Sequence, residues 1–162
     1  MKRINFFKKI FYSITNKKYK EMVEEKSGFA ILYLAIFELT FTVVLSFIVA
    51  KNFFNASFMD IYEYANTFLV DFIDNSLSLT FNTILVLSVI GYLYCLITKS
   101  KVKYSKMFCL ATYASTLSMI LKYVILIVSY TNEIEIPFFN YIYAVIVVIY
   151  FILNFKKVCK SE

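Results

Sequence analysis

GFAILYLAIFELTFTVVLSFIVA, residues Gly28–Ala50, carries a single charged side chain, Glu38, in 23 positions. A helix rises about 1.5 Å per residue, so a run of this length reaches across roughly 30 Å of hydrocarbon. The run is too long and too evenly apolar for one face of a soluble domain, and it makes lipid the expected solvent. Three more stretches follow the same rule: Leu77–Thr98, Met107–Tyr130 and Phe138–Phe155, the last completed by aromatic ends suited to the headgroup zone. The whole chain agrees, with 60% hydrophobic and 17% charged residues in 162 and a mean hydropathy of +0.70. The expected fold is therefore all-α, an integral membrane helical bundle with four transmembrane helices (28–50, 77–98, 107–130 and 138–155) and amphipathic interfacial helices.

Lysine and arginine set the expected orientation, because positive residues flanking short loops are retained in the cytoplasm. Segment 1–27 holds eight of them, the connector 99–106 four and the tail 156–162 three, whereas the connector 51–76 holds Lys51 alone and the loop 131–137 none. Four passes with both termini cytoplasmic satisfy this alternation. A net charge of +6 split among three juxtamembrane segments suits anionic lipid, at about 1 kcal/mol per basic residue, and not nucleic acid.

Two flanking segments read as interfacial helices. In the first, Phe6, Phe7, Ile10, Phe11 and Ile14 recur at helical spacing opposite basic residues, as an uncleaved helix lying in the inner interface would have them. In the second, between residues 57 and 75, Asp60, Glu63, Thr67, Asp71 and Asp74 form one stripe opposite apolar residues, an outer acidic face that reads as solvated, not as a metal site.

Composition removes much chemistry. With no histidine and two glycines, imidazole bases and glycine-rich phosphate loops are excluded. No nucleophile with a base, no metal cage and no pair of cooperating carboxylates is visible, so the chain is expected not to be an enzyme and to need no cofactor or metal. Cys95, Cys109 and Cys159 all fall toward the cytoplasmic side, where thiols stay reduced.

An ionisable group in mid-bilayer costs about 2.5–3.5 kcal/mol even on the lenient insertion scale, which makes Glu38 and Lys122 the most informative positions. Their expected depths differ by about 7 Å, a gap two long side chains can close. Each continues a stripe of small or polar residues on which helices can approach: Ala35, Glu38, Thr42 and Ser46; Ala111, Ser115, Ser118 and Lys122; with a third line at Ser88, Gly91, Cys95 and Thr98. Three readings stay open. Glu38 and Lys122 form a structural pair, or a protonated Glu38 bonds to Ser115 or Ser118. Alternatively, Lys122 snorkels outward past Tyr130. In the third reading Glu38 relays a cation or proton with Lys122 beside it.

Two stretches, FFKKIFYSITNKKYKEM (6–22) and KYSKMFCLATYASTLSMILK (103–122), resemble the bacterial membrane-protein family of domain of unknown function 1189, related to the Yip membrane-protein clan. The resemblance implies a multi-pass protein of the bacterial cytoplasmic membrane with a basic cytoplasmic N-terminus and an extracytoplasmic segment, and some members are labelled as maltodextrin-utilisation proteins. The outer segment here is shorter than the family's, and Ser118 stands where a proline is expected. The expected function is an accessory or scaffold protein that binds another membrane protein or itself, with a link to sugar uptake implied by the resemblance. A small-ion or solute permeation component using Glu38 and Lys122, or an immunity-type membrane protein, are the alternatives.

Overall fold

The computed structural model describes residues 4–15, 19–53, 62–63, 66–67, 70, 78–132 and 139–159. These residues are helical apart from short connectors, with no strand among them. In chain order the helices are α1 (Phe6–Thr15), α2 (Tyr19–Val23), α3 (Ser27–Phe53), α4 (Ser78–Ile97), α5 (Tyr104–Ala114), α6 (Thr116–Asn132) and α7 (Phe139–Cys159). Three stretches are long and apolar enough to cross a membrane, Ser27–Ile48, Ser78–Ile97 and the α5–α6 unit Tyr104–Ser129, and a fourth, shorter apolar helix runs over Tyr141–Lys156.

The bundle is built for a lipid solvent. Its outward positions are Leu, Ile and Val, such as Leu32, Leu39, Val86, Ile90, Leu93, Val145 and Ile149, whereas Thr42, Ser46, Thr80, Ser88, Thr112, Ser115, Thr116 and Ser118 are buried. Hydrocarbon does not drive apolar side chains together, so association rests on close packing and internal hydrogen bonds, and small and hydroxylated residues turn inward. Aromatic rings fill the remaining interior: Tyr33 packs on Tyr113 at 5.3 Å between centroids, and Phe41 on Tyr123 at 5.2 Å.

Contacts fix the directions of the helices. Tyr33 meets Tyr113 and Phe41 meets Tyr123, so α3 and the α5–α6 unit run parallel. Ser88 meets Tyr104 at 3.0 Å while Thr80 reaches Glu38, so α4 runs the other way. Tyr94 packs on Phe155 and Gly91 faces Phe151, which makes α7 parallel to α4. The start of α3, the 98–103 connector and the end of α7 therefore share one end of the bundle, and with them most of the basic residues.

Two elements depart from the sequence reading. The expected continuous span 107–130 is divided at Ser115, a single turn residue between α5 and α6 with φ −73° and ψ −15°. Hydroxyls explain the break: Thr112 Oγ1 donates to Phe108 O at 2.9 Å, Ser115 Oγ to Thr112 O at 2.7 Å and Ser118 Oγ to Ser115 O at 2.7 Å. Such bonds to carbonyls of the preceding turn bend a helix. The main chain stays bonded across Ser115, with Ser115 N–H on Ala111 O and Met119 N–H on Ser115 O.

In α1 the expected apolar face is split. Phe7, Phe11 and Ile14 are exposed, but Phe6 and Ile10 pack against the core and Lys9 and Ser13 are buried beside them. A carboxylate inside the bundle draws Lys9 inward, as the geometry below makes plain.

Candidate functional site

Glu38 lies midway along α3 with its side chain 3% exposed. Its carboxylate is met from two other helices. Thr80 Oγ1, in the first turn of α4, donates to Oε1 at 2.8 Å. The Tyr123 hydroxyl, on α6, donates to Oε2 and also stands 3.0 Å from Thr42 Oγ1, one turn along α3. Lys122 Nζ is 3.7 Å from Oε1, with its side chain 4% exposed. The ammonium also sits over two rings, Tyr123 at 5.4 Å and Tyr143 of α7 at 5.8 Å, where the ring faces add a favourable electrostatic contact. Four helices thus converge on one buried ion pair. Lys122 points into the bundle, so it does not snorkel outward.

A second buried pair sits near the basic end. Lys9 Nζ of α1 is 2.5 Å from Glu25 Oε2, in the connector between α2 and α3. Tyr113 of α5 donates its hydroxyl to the same oxygen at 2.8 Å, and Lys9 Nζ stands 5.8 Å from the centre of the Tyr113 ring. Cys109 Sγ donates to Glu25 O at 3.5 Å, and the Tyr33 and Thr116 hydroxyls are 3.0 Å apart. Both sites use one plan, a lysine and a tyrosine hydroxyl on one glutamate, with the lysine also near the tyrosine ring.

The part of this arrangement from α4 through most of α7 carries a family signature. A profile described as Protein of unknown function (DUF1189) matches residues 57–155. The chain belongs to the DUF1189 family. None of the curated proteins and none of the solved structures matches it. The DUF1189 match includes Thr80, Lys122, Tyr123 and Tyr143, and the resembling stretch 103–122, whereas Glu38, Glu25 and the resembling stretch 6–22 precede it.

The remaining expected positions of this DUF1189 chain divide clearly. Thr42, Ser46, Ser88, Gly91, Ser115 and Ser118 are buried at helix contacts, while Ala35 and Thr98 on the same stripes are exposed. Ser115 and Ser118 bond their own helix carbonyls and not Glu38, because those carbonyls are nearer than a neighbouring helix. Ser46 Oγ likewise donates to Thr42 O at 2.8 Å. On the outer acidic face Glu63 is exposed on helical backbone, and Asp60, Asp71 and Asp74 lie outside the described residues. Cys95 and Cys109 are buried and form no disulfide, and the side chain of Cys159 is not among those described.

Sequence reasoning missed Thr80, Tyr123, Tyr143 and the whole Lys9–Glu25–Tyr113 cluster. Thr80 lay two turns before Ser88 on the same face of α4, so extending that stripe would have found it. A mid-span tyrosine is a signal in itself, because a buried phenol needs a partner for its hydroxyl. Nothing in the sequence separated Lys9 from Lys8.

Proposed function

We propose that this DUF1189 protein is a non-catalytic accessory membrane protein of the bacterial cytoplasmic membrane. In this reading both termini are cytoplasmic and the bundle presents an apolar face to another membrane protein. The observation that carries the proposal is the state of Glu38, whose carboxylate is engaged by Thr80, Tyr123 and Lys122 at once. A carboxylate whose acceptor positions are filled by neighbouring helices serves to hold those helices in register. Fixed buried pairs specify which helices pack, a role best attested for polar groups in apolar interfaces. The outward face of α4, with Val86, Val89, Ile90 and Leu93 exposed, supplies a wide apolar surface for a partner. The gathering of basic segments at one end of the bundle supports the assigned orientation. A link to sugar uptake rests on family resemblance.

Permeation is the second reading, favoured by the ring-flanked ammonium of Lys122 beside a carboxylate. Two measurements separate the readings. A photo-crosslinking side chain placed at Val89 in living membranes is expected to give a protein adduct of discrete mass, and purified protein in liposomes is expected to pass no ions. Ion flux abolished by Glu38→Gln, with lipid adducts alone at Val89, would replace the accessory role with permeation.

A further inference from the structure

α4 and α7 run side by side toward the basic end of the bundle, and between them lies a groove of about 610 Å³. Such a volume falls within the range of pockets that hold small molecules. Most of its wall is apolar, formed by Tyr94, Phe151 and Phe155 over Gly91, and one end is polar, formed by Thr98, Ser100 and Lys156. Gly91 keeps the helices close, since a Cβ there would stand 2.7 Å from Phe151 Cζ. Tyr94 is 55% exposed, so the groove opens toward the outside of the bundle.

The polarity of the groove follows the membrane normal. From Gly91 to Thr98 is seven residues, about 10 Å along a helix, so the apolar end reaches less than one leaflet deep and the polar end stands at headgroup level. Exposed Lys99, Lys101 and Lys103 in the adjoining connector add positive charge to the mouth already holding Lys156. Lys99 is held there by its left-handed backbone (φ 56°), which turns the chain so that Ser100 N–H bonds back to Cys95 O at 2.9 Å. A second copy of the chain meeting this face through its own would set lysine against lysine. An uncharged apolar molecule would gain nothing from the ammonium groups.

We infer that this groove is a binding site for one anionic phospholipid of the leaflet at the basic end, its phosphate at Lys156 and Ser100 and an acyl chain against Tyr94, Phe151 and Phe155. The site is separate from the Glu38–Lys122 pair, and it adjoins the apolar face of α4 assigned above to a partner, with Ile90 common to both.

The chain contains no tryptophan, so a single introduced one reports its own surroundings. Tyr94→Trp places an aromatic reporter in the groove, and Ile31→Trp places one on the exposed face of α3 near the same end. The full-length variants are reconstituted in phosphatidylcholine vesicles containing brominated phosphatidylglycerol or brominated phosphatidylcholine, and quenching is measured. For Tyr94→Trp the phosphatidylglycerol is expected to associate about fivefold more tightly than the phosphatidylcholine. Adding Lys156→Gln is expected to reduce that preference, Lys156→Arg to retain it, and Ile31→Trp to show a smaller one. Four results would overturn the site: equal association of the two lipids, a preference unchanged by Lys156→Gln, an equal preference at Ile31→Trp, or no quenching by either lipid, as a protein seated in the groove would cause.

Discussion

Lys122 Nζ stands 3.7 Å from Glu38 Oε1 with both side chains almost wholly buried, although the two residues enter their helices at different depths. Removing one partner leaves an uncompensated charge, a loss of about 3–5 kcal/mol for a buried pair. Glu38→Gln and Lys122→Met are each expected to destabilise the bundle in detergent. The double variant should lose less than the sum, with coupling above about 0.5 kcal/mol. Additive losses in a thermal or denaturant series would dissolve the structural role of the pair.

The Tyr123 hydroxyl meets the Glu38 carboxylate, the Glu38 carbonyl at 3.3 Å and the Thr42 hydroxyl. Tyr123→Phe preserves the ring packing on Phe41 and removes the hydroxyl, which donates to Glu38 and accepts from Thr42. A hydrogen bond to a charged group is worth about 1.5–3 kcal/mol, so Tyr123→Phe is expected to cost more than Tyr33→Phe, which removes a bond between two neutral hydroxyls. Equal losses in a melting comparison would argue that the carboxylate finds another donor.

Lys8 and Lys9 are neighbours with opposite fates: Lys8 is exposed, and Lys9 is buried against Glu25. Lys9→Met is expected to lower the melting temperature and to expose Cys109, whose thiol bonds the Glu25 carbonyl, to maleimide. Lys8→Met should leave both quantities unchanged. Identical labelling rates for the two variants would show that the pair does not close this end of the bundle.

Gly91 is a position where size alone decides. Its missing Cβ leaves room for Phe151 Cζ, 2.7 Å from where that atom would stand, and for Met107 Sδ at 3.3 Å. Overpacking costs about 1–3 kcal/mol, and a helix gains about 1 kcal/mol when glycine becomes alanine. Gly91→Ala is therefore expected to be mildly destabilising, and Gly91→Leu to separate α4 from α7 and prevent isolation of a monodisperse protein. A Gly91→Leu variant as stable as the parent would place these helices farther apart.

Much of the bundle was legible from residue patterns because lipid imposes a strong filter. Length and hydropathy located α3, α4 and α7 to within a few residues, and the inward-facing stripes around Glu38, Ser88 and Lys122 followed from helical spacing. The break at Ser115 was less legible, since hydroxyls that bond within a helix look the same in sequence as hydroxyls that reach another. The amphipathic N-terminal segment misled for a related reason. Periodicity shows that apolar and basic residues alternate around α1, but whether Lys9 meets water or a carboxylate depends on what lies across from it.

By itself, then, the amino-acid order determined the apolar helices and the two charges set within them, because each of these is a property of a single helix set against hydrocarbon. Only the tertiary structure decided who answers those charges. Thr80 and Tyr143 reach the Glu38–Lys122 pair from two further helices, Tyr123 reaches it from the helix that carries Lys122, and Tyr113 reaches Glu25 from 88 positions away. Hydrogen bonds and ion pairs act over a few ångströms, and nothing along the chain encodes that distance until the helices have packed.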